Sequence, residues 1–67
     1  MDYTVSYTRT GRAIMPHSTP RDMTVYAADD DKAVAFVREH HLRDGYTAAV
    51  YAPGPDGRPS RLVWTQP

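Results

Sequence analysis

The run Asp29 to Gly45, DDDKAVAFVREHHLRDG, constrains this chain more than any other stretch. It alone carries a helical period. Ala33, Phe36, Val37 and His40 recur at i, i+3, i+4 and i+7, with Val34 and His41 flanking the stripe. Lys32, Arg38, Glu39 and Arg43 fall mostly on the other side. Among Asp29, Asp30 and Asp31, one can cap the first turn by accepting from a free backbone N–H, and the others complement the positive end of the helix dipole. Asp44-Gly45 offers a residue able to take positive φ as a stop, and Arg43 lies in the last turn, where a cation is favoured. The expected helix has about three to four turns and one apolar face. Such a face can cover one small sheet and no more.

The rest of the chain reads as strand, turn or loop. In Tyr3 to Arg9, Tyr3, Val5 and Tyr7 alternate with Thr4, Ser6 and Thr8, the period of a strand with one apolar face. Met23 to Ala28 forms a second strand that runs directly into the helix start. Tyr46 to Ala52 and Ser60 to Thr65 form a third and a fourth, joined by a proline-stiffened turn around Pro55-Asp56-Gly57. Between the first two strands, Thr10 to Asp22 reads as a long connection, with room for a small hairpin at its start; Pro16 and Pro20 bar a regular helix there. The order is β-β-α-β-β. It predicts a single α+β domain, a two-layer sandwich in which one helix packs on one face of a four-stranded, mostly antiparallel sheet. A right-handed crossover through the helix makes the second and third strands parallel, either adjacent or with a gap between them.

Composition narrows the function. A chain of 67 residues buries only about 60% of its unfolded surface, so domains of this size often rely on disulfides, a metal or a partner chain. There is no cysteine, which removes disulfides, thiolate metal sites and cysteine catalysis. The formal net charge is zero, against the clear basic excess of a dedicated DNA or anionic-membrane binder. No apolar run approaches the roughly 20 residues of a membrane span, and no basic segment followed by an apolar run opens the chain. These features point to a cytoplasmic protein, and seven arginines against a single lysine point to a GC-rich bacterial genome.

Assigning faces by alternation leaves one surface to explain. The helix side receives Val5, Val25, Ala48, Val50, Leu62 and Trp64, with Tyr3 and Tyr7 near its edges. The other side receives Thr4, Ser6, Thr8, Thr24, Tyr26, Ala49, Tyr51 and Val63, with Arg61 beside them. Solvent-facing strands often carry such residues simply because they favour strands. Tyrosine is also enriched at protein contacts, where its ring buries area while its hydroxyl stays bonded. Stacking this face on a partner would supply the core that so short a chain lacks. The expectation is therefore a non-enzymatic binding or regulatory module acting by protein–protein contact through Tyr26, Ala49, Tyr51, Val63 and Arg61. Its partner would be a second copy, in a homodimer formed by sheet packing or edge pairing, or a larger protein.

Other chemistries find less support. His17, His40 and His41 are the only imidazoles, and adjacent His40 and His41 do not chelate as an i, i+4 pair would. His40 is expected at the core edge, bonded to a backbone carbonyl, and His41 half exposed. No glycine spacing matches a phosphate-binding loop or a dinucleotide fingerprint. Ser18, Thr19 and Ser60 lack an evident base, and so small a fold leaves little room for a pocket of roughly 300 Å³. No cofactor, metal site or catalytic residue is expected. The alternative reading is RNA or single-stranded DNA binding through Arg9, Arg12, Arg58 and Arg61 beside exposed tyrosines.

Overall fold

In the computed structural model, which describes residues 1–9 and 21–67, the chain forms β1 (Asp2–Arg9), β2 (Met23–Tyr26), α1 (Asp30–His40), β3 (Tyr46–Pro53) and β4 (Pro59–Thr65). The connection expected across Thr10 to Asp22, with Arg12 and His17, lies outside the described residues apart from Arg21 and Asp22. The strands form one sheet in the order β2-β1-β3-β4, and every neighbouring pair is antiparallel. Because β2 and β3 both run against β1, they are parallel to each other, with β1 filling the gap between them. This is the α+β sandwich that the element order predicts.

The sheet order makes β1 an inner strand, so Tyr3, Val5 and Tyr7 are all buried in the core instead of lining its edge. Val25, Val37, Val50, Ala27, Ala33, Ala48 and Ala52 complete the core, and Met23, Tyr46, Val63 and Trp64 pack partly against it. Small side chains dominate, so the helix backbone can sit close to the sheet.

The helix has about three turns and ends before the Asp44-Gly45 stop signal. Asp29 is the N-cap, accepting from the Lys32 N–H at 2.9 Å, and Asp30 and Asp31 occupy the first turn. The last hydrogen bond comes from the His41 N–H to the Val37 carbonyl at 2.9 Å. Gly45 does have positive φ, 84°, but it serves the turn into β3 instead of the helix stop. Only Ala33 and Val37 are buried on the helix. Phe36, expected in the stripe, is 45% exposed, and its ring packs against those of His40 and His41 at 4.9 and 5.1 Å. His40, expected at the core edge, is exposed, whereas His41 is half-buried as expected.

Two buried tyrosines hold the helix by its ends. Tyr3 donates to Asp30 Oδ1 at 2.7 Å, and Tyr7 donates to the His41 carbonyl at 2.7 Å. Four strand residues span about 13 Å and eleven helical residues about 16 Å, so one face of β1 reaches both ends of α1. The Arg43 guanidinium lies 5.6 Å from the Tyr7 ring centroid and closes this corner.

Candidate functional site

The face of the sheet away from α1 is built in cross-strand rows. Thr24 pairs with Thr4, Thr4 with Tyr51, and Tyr51 with Leu62. A second row runs Ser6, Ala49, Thr65, and a third joins Thr8 to Thr47. Tyr26 stands opposite Asp2 at one corner. Directly opposed residues share a face, so these side chains form one hydroxyl-rich surface with Tyr51 and Leu62 side by side. Leu62 is 52% exposed and Tyr26 is 80% exposed. By strand spacing the two tyrosines stand about 12 Å apart, with β1 between them, so they do not touch.

A bulge corrects the face assignment of β4. The register shifts between Val50 and Tyr51, where Val50 pairs with Trp64 but Tyr51 pairs with Leu62. The extra residue, Val63, breaks strict alternation. Leu62, expected on the helix side, therefore joins the open face. Val63, expected on the open face, packs against the core. Arg61 turns to the helix side opposite Ala52, where its Nη2 donates to Asp30 Oδ2 at 3.0 Å. Of the five expected contact residues, Tyr26, Ala49 and Tyr51 share the open face, and Val63 and Arg61 do not.

The arginines of the nucleic-acid reading do not converge. Arg61 is tied to Asp30 on the helix side. Arg58 lies at the β3–β4 turn, 3.9 Å from Asp56. Arg9 ends β1 opposite Tyr46, at the other end of β3 from that turn. Arg12 lies outside the described residues.

The Tyr3–Asp30–Arg61 network is the strongest electrostatic feature among the described residues. The hydrogen bond to the Asp30 carboxylate, with burial second, pushes the Tyr3 phenol from 10.0 up to about 12. The same bond and the Arg61 contact hold the Asp30 carboxyl below its usual 3.8. Beside it lies an open hollow of about 430 Å³ lined by Met1, Tyr3, Ala28, Asp29, Asp30 and Asp31. That volume exceeds the sequence-based expectation, but the hollow is a surface recess. Of its polar groups, the Tyr3 hydroxyl donates to Asp30 and the Asp29 carboxylate caps the helix, and among the described residues no group of three or more side chains is placed to hold a metal ion. This network was not foreseen. Its signal was the acidic triplet following a strand that must lie beside the tyrosine-bearing first strand.

No helix among the described residues is long and apolar enough to cross a membrane. No protein-family model matched the chain, and neither a curated protein nor a solved structure matched it.

Proposed function

We propose that the protein is a non-enzymatic binding module of the cytoplasm that works through the open face of its sheet, and that this face takes a second copy of the chain. The observation that carries the reading is the division of side chains. The core closes on valine, alanine and two tyrosines, while Leu62, Tyr26 and the Tyr51 row are left on the uncovered face. The charge pattern favours a copy of itself. Among the strand residues assigned to this face, Asp2 at its corner is the only charged one, so two such faces meet without stacking like charges over their centres. A nucleic acid would need cations there, and Arg61, Arg58 and Arg9 lie elsewhere.

Light scattering on a size-exclusion column over a wide dilution series tests this. The expected result is a mass well above the 7.5 kDa of one chain at high concentration, falling towards it on dilution and changing little with salt. Tyr51→Glu should shift that transition by about tenfold or more in concentration, as expected for a central aromatic contact residue. A mass of one chain at every concentration overturns the reading.

A further inference from the structure

The two edges of the sheet are built differently. β4 opens with Pro59, is interrupted by two register shifts and carries the charged Arg61, three devices by which sheets refuse a further strand. β2 has none of these. Met23–Tyr26 pairs without a register shift and contains neither charge nor proline. Its backbone polarity follows from its neighbour. Ala27 N–H donates to the Met1 carbonyl at 3.0 Å, and the Met1 amino group donates back to the Ala27 carbonyl at 3.0 Å. Such bonded pairs alternate along an antiparallel ladder. Met23 and Val25 therefore turn their backbone groups to β1, and Thr24 and Tyr26 turn theirs outwards, where β2 ends the strand order among the described residues.

We infer that β2 pairs with β2 of a second copy, antiparallel, about a two-fold axis through Val25. Directly opposed residues must share a face, and this register satisfies that rule. It sets Thr24 opposite Tyr26 of the other copy on the open face, and Val25 opposite Val25 on the helix side. Thr24 N–H donates to the facing Tyr26 carbonyl and Tyr26 N–H to the facing Thr24 carbonyl. The two-fold repeats both bonds, so every outward group of this pair finds a partner. The exposed Tyr26 ring then lies beside Thr24 of the other copy. The same register carries Arg21 of each chain to face Asp29 of the other, an opposite charge, with Asp22 beside it facing Ala28.

The pairing goes beyond the open-face contact and enlarges it. Four strands about 4.8 Å apart and roughly 23 Å long present about 450 Å² in projection. Two faces joined at β2 double the area that one edge-paired dimer offers to another.

Amide hydrogen exchange read by NMR at high and low protein concentration tests the edge. The Val25 amide, bonded within the chain, is protected at both concentrations and serves as the internal control. The Thr24 and Tyr26 amides should exchange about tenfold or more slowly at high concentration, and at open-chain rates when dilute. Thr24→Pro removes an N–H that faces outwards, so the monomer keeps its fold while Tyr26 loses its protection. Arg21→Glu, which alters no strand, should weaken the protection a few-fold. Open-chain exchange of Thr24 and Tyr26 at the highest concentration overturns the pairing, as does Tyr26 protection that survives Thr24→Pro. Tyr51→Glu reports on the open face alone: unchanged mass with that variant sinks the face reading and leaves the edge protection standing.

Discussion

The two faces of this sheet are one residue apart along each strand and obey different rules. On the covered face Ala48, Val50 and Ala52 are buried under a helix that contributes only Ala33 and Val37 to the core. On the open face Ala49 and Tyr51 lie among threonines and beside Leu62. Hydrophobic size does not decide which side is buried, since Leu62, Phe36 and Leu42 are all outside. An alanine-rich seam draws the helix down, two tyrosine hydroxyls fix its ends, and larger apolar groups are left for contacts beyond the chain.

The sharpest way to break that contrast is a charge on either side of it. Val50→Asp buries an unpaired carboxylate in a domain whose whole stability is about 3–10 kcal/mol, and it should leave the chain unfolded by circular dichroism at room temperature. Ala49→Asp, one residue away, should keep the fold and lose the association made through the open face. Equal damage from both would erase the distinction between the faces. Overfilling the seam comes next. Ala33→Leu should cost about 1–3 kcal/mol in urea denaturation by lifting α1 off β3, against the usual rule that alanine to leucine favours a helix.

Smaller effects probe the two ends of the helix. Tyr7→Phe leaves the His41 carbonyl without its donor and should cost about 1 kcal/mol in urea denaturation. Tyr3→Phe should cost more, because its acceptor is the charged Asp30. The pH profile is the finest probe. The Asp30 carboxyl sits below its usual 3.8 in the fold, so its contribution is complete above that range and is lost as pH falls through the lowered value. Tyr3 is raised from 10.0 to about 12, so its contribution is complete below 10.0 and is lost as pH rises towards 12. Urea midpoints measured across both windows should show both limbs in the native chain and flatter limbs in Asp30→Asn.

Much of this was legible in the residues. Alternation placed all four strands nearly to their ends, the acidic triplet marked the helix start, and the element order gave the sandwich. What alternation could not carry was a phase change. Ser60 to Thr65 reads as unbroken, and only pairing with β3 reveals the extra residue that sends Leu62 to the open face and Arg61 to the helix side. The helix stop misled for a related reason. His41 ends the helix because its N–H and carbonyl both find partners, Val37 and Tyr7, and the second partner is distant in sequence. Tyr3 and Tyr7 looked peripheral until the strand order placed β1 inside the sheet. Of the candidate contact surface, Tyr26, Ala49 and Tyr51 followed from period alone, while Val63 and Arg61 moved with the bulge.

The most direct measurement is a carbon–proton methyl NMR spectrum followed through dilution. If the open face is the contact surface, the methyl signals of Thr4, Ala49 and Leu62 move with concentration while those of Val5, Val37 and Val50 stay fixed. Signals that stay fixed on both faces, or that move only around Phe36 and Leu42, would contradict it.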